Sequence, residues 1–115
     1  MKSEFGWIEI AKTRYDHDVI IYTDGSVTRR LKKKSKDLKI TYGHTPLSEN
    51  ELEFLKSEQP EKVYIGTGQY GDLPLTPGAE RVLNRFEAIA RPTPEILVML
   101  EKEQRPYSAI IHVTC

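Results

Sequence analysis

The sequence has a single cysteine among its 115 residues, Cys115, so no disulfide can close within the chain and no cysteine-cage zinc site can be built from it. That scarcity fits a reducing compartment. Net charge is missing as well: seventeen Lys and Arg balance seventeen Asp and Glu, and no global field draws the molecule toward nucleic acid or an anionic membrane. No apolar run approaches the length that crosses a bilayer. The opening Met1-Lys2-Ser3-Glu4-Phe5-Gly6 carries an acid and a glycine where a signal peptide needs apolar residues. The expectation is a soluble cytoplasmic protein, long enough for one domain, 1–115, around a single core. Metal ligands at workable spacing are absent too. His17 sits between Asp16 and Asp18, but adjacent residues cannot all face one ion, and His44 has no partner at ligand spacing. No metal and no cofactor are expected.

What is present is a succession of short elements. Loose alternation over Phe5–Ala11 and the apolar run Val19-Ile20-Ile21-Tyr22 predict two strands of a meander, with Asp24-Gly25 turning into a third over Ser26-Val27-Thr28. Seven of the seventeen basic residues fall within Arg29–Lys39, opposed only by Asp37, which reads as a solvated loop or a twisted ribbon. Ser48-Glu49-Asn50-Glu51 has the spacing of a capping box and predicts a helix running to about Ser57, before Pro60 forbids its continuation. Beyond Pro60 the order is strand (Val63–Ile65), helix (from Thr76-Pro77), strand (Ala88–Ala90), helix (from Thr93-Pro94) and strand (Ala109–Val113). Helical crossovers of this length favour parallel pairing, with the last strand free to insert either way.

The loop Gly66-Thr67-Gly68-Gln69-Tyr70-Gly71 follows a strand and satisfies the glycine spacing of dinucleotide sites. The context for that mechanism is incomplete, because Leu73-Pro74-Leu75 separates the loop from the next helix cap, Thr76. Two readings remain. In one the loop is a structural turn. In the other, parallel neighbours at 63–65 and 88–90 bring Gly66, Thr67, Gly68, Tyr70 and Gly71 to the same edge as Arg91 and Thr93, where a guanidinium fork and a helix N-terminus would hold a phosphate, nucleotide or carboxylate. His112 shares a strand face with Ile110 and Thr114 and reads as a hydrogen-bonded core residue. Cys115 points to the other face, so no catalytic pair forms. Arg29, Arg30, Lys32, Lys33 and Lys34 form a candidate interaction patch, but no nucleic-acid motif accompanies them. A protein partner fits the balance against the acids Glu49, Glu51, Glu53 and Glu58 better than a nucleic acid does.

The ending Ala109-Ile110-Ile111-His112-Val113-Thr114-Cys115 resembles that of the adipogenesis-associated Mth-type domain family. The likeness continues through Phe5-Gly6-Trp7-Ile8, Tyr15 with Asp18-Val19-Ile20-Ile21, Asp24-Gly25-Ser26-Val27, Ile65-Gly66-Thr67-Gly68 and Pro92-Thr93-Pro94-Glu95. Ile96 and Leu97 depart from the family's usual last helix. The resemblance implies an α/β fold of three layers: a mixed central sheet, flanking helices and an additional N-terminal β-hairpin element. It carries no established catalysis, and one member is an assembly factor of mitochondrial respiratory complex I. The reading is therefore a non-enzymatic interaction or assembly-factor-like domain. The alternative is a small-anion binder or weak enzyme using the Gly66–Gly71 edge.

Overall fold

The computed structural model describes residues 1–115. Strands β1 (Lys2–Glu4), β2 (Trp7–Ile10) and β3 (Thr13–Tyr15) form an antiparallel meander. Strands β4 (Val19–Ile21), β5 (Val27–Arg29), β6 (Lys62–Thr67), β7 (Ala88–Arg91) and β8 (Tyr107–His112) form a second sheet in the order β5-β4-β8-β6-β7. That sheet is mixed: β6 runs parallel to both β7 and β8, whereas β4 pairs antiparallel with β8 and with β5. The helices are α1 (Lys39–Tyr42), α2 (Leu55–Glu58), α3 (Pro77–Leu83) and α4 (Thr93–Lys102), with 3-10 turns at Lys32–Leu38 and Glu49–Leu52.

Alternation along the central strands sets the layering, because successive side chains point to opposite faces. Val19, Ile21, Tyr64, Ala109 and Ile111 face one way and pack with Ile8 and Ile10 of β2 and with Ile96, Leu97 and Leu100 of α4. Ile20, Val63, Ile65 and Ile110 face the other way, onto Leu52, Leu55, Ala79 and Leu83 from the second 3-10 turn, α2 and α3. The meander and α4 thus make one layer, the five-stranded sheet the middle, and the short helices the third. Both faces of β6 and β8 are covered, which is why their sequences lack polar alternation. Ile8, Ile65, Ile96 and Ile110 are almost wholly enclosed, each burial being worth roughly 1.5–3 kcal/mol.

Four expectations change. Phe5-Gly6 is a turn, with Gly6 at φ +94, so β2 pairs within the meander and not with the strand at 19–21. Of the basic run, Arg29 ends β5, and from Lys32 onward it forms the 3-10 turn leading into α1 in place of a loop or ribbon. The helix expected over 48–57 is broken in two, and its capping box does not form: Ser48 makes no side-chain cap, and the Glu51 carboxylate turns away to Arg30. Thr93 is not the cap of α4 either. Pro92 occupies that position, and Thr93 lies inside the first turn. Thr76 does cap α3, accepting from the Ala79 amide at 3.1 Å.

Candidate functional site

The parallel register of β6 and β8 places Thr67 opposite His112, so both strands end at one edge of the sheet. The glycine loop and the start of α4 meet there. The Gly68 N–H donates to Thr93 Oγ1 at 3.0 Å, the Thr93 N–H donates to the Gly68 carbonyl at 2.8 Å, and Thr93 Oγ1 donates to the His112 carbonyl at 2.7 Å. The rest of the loop lies against the chain after β8: the Gln69 and Asp72 amides donate to the Thr114 and Cys115 carbonyl oxygens. Gly71 and Leu73 donate back into the loop, to Gly68 and Thr67. A Cβ on Gly68 would stand 2.4 Å from the Cys115 carbonyl carbon, at a φ of +103. Close passage of one backbone over another is the physical demand behind this glycine.

Of the loop-edge candidates, Gly66, Thr67, Gly68 and Thr93 are buried, whereas Arg91 is exposed and donates only to the neighbouring Ala90 carbonyl. Gly71 is partly buried, and Tyr70 projects outward with its ring centroid 6.1 Å from that of Phe5. The basic patch divides in the same way. Arg29, Lys32, Lys33 and Lys34 are exposed, but Arg30 is buried and belongs to a charged cluster.

In that cluster Arg30 Nε and Nη2 donate to Glu51 Oε1 and Oε2 at 2.7 and 3.0 Å, and Nη1 donates to Asp18 Oδ2 at 2.9 Å. Ser35 Oγ donates to Glu51 Oε2 at 2.6 Å and lies 2.5 Å from Ser48 Oγ. Asp18 Oδ1 accepts from the Val113 amide at 2.9 Å, and Oδ2 accepts from His112 Nδ1 at 2.8 Å. Burial alone would raise the Asp18 pKa. The hydrogen bonds from His112 and the Val113 amide, with the neighbouring Arg30 charge, together outweigh it and bring the value to about 2. Burial likewise works against the Arg30 charge, but Glu51 and Asp18 more than compensate and raise its pKa. An ionised Asp18 only accepts, so Nδ1 carries the hydrogen and the other edge of the imidazole faces Thr114, whose Oγ1 lies 3.1 Å from Nε2.

Of that cluster, His112 reaches a cleft of about 170 Å³ at the carboxyl ends of β6 and β8, bordered also by Lys32, Lys39, His44, Asp72, Thr114 and Cys115. Ligands in open α/β sheets bind outside this end of the strands. A larger cavity of about 460 Å³ opens elsewhere, between the 49–59 segment and α3. It holds no buried polar cluster. The Tyr64, Glu103 and Arg105 group lies at the opposite, amino end of β6 and β8. Sequence reading identified His112 as a hydrogen-bonded core residue sharing a face with Thr114, but missed Asp18, Lys39, His44 and Asp72 as its neighbours, which arrive from distant segments.

Fold and cleft together define a mixed three-layer α/β domain with an acid–base cluster at the carboxyl edge of its sheet. The conserved hypothetical protein PH1505 of Pyrococcus horikoshii is 36% identical over all of this chain and 98% of its own, with a TM-score of 0.86. The protein MT938 is 34% identical over all of this chain and 96% of its own, with a TM-score of 0.81. The chain belongs to the family of these two uncharacterised proteins. A Bordetella parapertussis protein shares the fold at 17% identity and a TM-score of 0.54, covering 98% of this chain and 92% of that one. No family model matches, and no curated protein does. No helix is long and apolar enough to cross a membrane.

Proposed function

We propose that the protein binds a small anion in the cleft at the carboxyl ends of β6 and β8. The observation that carries this reading is the lining: Lys32 and Lys39 border the cleft with the imidazoles of His44 and His112, beside Asp72 and Cys115. Its volume lies below the usual range for drug-sized ligands, which suits inorganic phosphate or a short carboxylate and not a dinucleotide. The ligand thus shifts from the Gly66–Gly71 loop, where the Gly68, Gln69 and Gly71 amides are already hydrogen-bonded, to the hollow beside it. Titration calorimetry with inorganic phosphate at low salt is expected to give saturable binding, weakened by added salt and abolished in Lys32→Glu/Lys39→Glu. A flat titration of the unaltered protein overturns the reading.

A second reading is a cytoplasmic interaction domain of the assembly-factor kind suggested by the adipogenesis-associated Mth-type likeness. The observation favouring it is Ile40, which is 96% exposed on α1 beside the lysines of the basic run. An apolar side chain framed by charges is a common feature of docking surfaces. Lys33 and Lys34 lie outside the cleft lining, so Lys33→Glu/Lys34→Glu separates the two readings. A phosphate binder keeps its titration in that variant.

A further inference from the structure

Three side chains at this edge are hydrogen-bonded in series, an arrangement that anion binding alone does not require. Asp18 Oδ2, His112 Nδ1 and Nε2, and Thr114 Oγ1 are joined at 2.8 and 3.1 Å. Carboxylate, imidazole and hydroxyl in this order make a nucleophile activated by a positioned general base. The chain supplies the geometry locally, because residues two apart in extended backbone point to the same side. Asp18 comes from the start of β4 and is fixed by the Val113 amide and Arg30, so the imidazole is held in one tautomer.

The hydroxyl is also reachable. Thr114 lies beyond the last paired residue of β8 and is partly exposed. Together with Lys32 it borders both the lysine-lined cleft and an adjoining hollow of about 200 Å³ that includes Asp16, His17 and Arg29. One side has room for an anionic leaving group and the other, lined by polar side chains, for a short acyl group such as acetyl.

We propose that Thr114 is the nucleophile of an acyl transfer from a small acyl donor bearing a phosphate or carboxylate group, with His112 as general base and Asp18 as a positioning residue. The proposal rests on the anion-binding reading of the cleft. Thr114 Oγ1 attacks the acyl carbon and its proton passes to His112 Nε2. The bond from the acyl carbon to the leaving oxygen breaks, and the leaving group departs with the electron pair and takes up the proton held on Nε2, which frees the imidazole for the second half. Lys32, shared by both hollows, supplies positive charge for the oxyanion that develops in between. Water then attacks the threonyl ester, giving one proton to Nε2. The ester bond breaks, the acid leaves, and the proton returns to Oγ1. The balance is hydrolysis of the donor, with no change of oxidation state.

Acetyl phosphate is the probe. The intact chain is expected to release phosphate faster than buffer alone and to gain one acetyl group, mapped by peptide mass spectrometry to Thr114. Thr114→Val removes both, and Thr114→Ser restores both. His112→Gln slows release by about 100-fold or more and flattens its pH profile. Titration of the same proteins with inorganic phosphate separates this proposal from the reading beneath it. Phosphate binding by the unaltered protein, with acetylation lost in Thr114→Val and regained in Thr114→Ser, supports the proposal. Phosphate binding by the unaltered protein with acetyl groups only on lysines, or undiminished release by Thr114→Val, overturns it and leaves anion binding intact. Failure of the unaltered protein to bind phosphate overturns both.

Discussion

Thr93 joins three segments with one hydroxyl. Its Oγ1 accepts from the Gly68 amide and donates to the His112 carbonyl, and all of these atoms are buried. A threonine at a helix start ordinarily satisfies its own helix, yet here the fixed φ of Pro92 sets the helix entry and frees the side chain to reach sideways. Gly66 belongs to the same arrangement, since a Cβ there would stand 2.8 Å from Thr93 Oγ1. Thr93→Val keeps the shape but strands a buried donor and a buried acceptor, so it should cost about 2–3 kcal/mol, whereas Thr93→Ser keeps both bonds and should cost less than ~1. Urea unfolding monitored by circular dichroism measures the difference. Equal losses for the two variants would mean that packing of the Thr93 methyl, and not its hydroxyl, holds the glycine loop in place.

The 49–52 turn shows how an element's sequence signal can point to the wrong partner. Ser48 and Glu51 have capping-box spacing, and a cap is worth about 1 kcal/mol. The fold instead spends Glu51 on Arg30 and Ser35, linking the turn to the end of β5 and to the basic run. Removing one partner of a buried pair costs about 3–5 kcal/mol, so the size of the loss in Glu51→Ala decides between the two roles. Exposed Glu53→Ala is the control, expected within about 0.5 kcal/mol of the parent. Thermal unfolding of both variants is the measurement, and a loss near 1 kcal/mol for Glu51→Ala would restore the cap. Elements legible in the sequence were those whose pattern is local: the Asp24-Gly25 hairpin, the buried run 63–65 and the Thr76-Pro77 cap. The β2–β3 hairpin was not among them, because its turn residues Ala11 and Lys12 take positive φ without an Asn-Gly or Asp-Gly signature. Arg30 was misplaced for a related reason: nothing in a run of basic residues marks the one whose carboxylates arrive from positions 18 and 51.

Across the whole molecule, Asp18 is where the meander side of the sheet, the end of β5 and the carboxyl edge of β8 are tied together. Its folded pKa of about 2 lies below the ~3.9 of an unfolded aspartate, so its contribution to stability is fully present above about pH 4 and is lost as the pH falls toward 2. For a side chain this enclosed the shift amounts to something on the order of 2 kcal/mol. Asp24, lowered by hydrogen bonds from Ser26, Glu87, lowered by Arg105 and Lys62, and Glu103, lowered by Arg105 and Tyr64, contribute in the same direction. Salt separates the exposed ion pairs from Asp18. Surface attractions fade at ~0.5 M salt, where the screening length is only a few ångström, while a buried pair is screened much less. Urea unfolding at pH 6 and pH 3 in high salt should therefore retain a destabilisation on acidification that low-salt measurements exaggerate, and Asp18→Asn should remove most of what is retained. If the high-salt dependence survives in Asp18→Asn, the acid sensitivity of this protein resides in its other carboxylates, and the cluster behind the cleft contributes packing without charge.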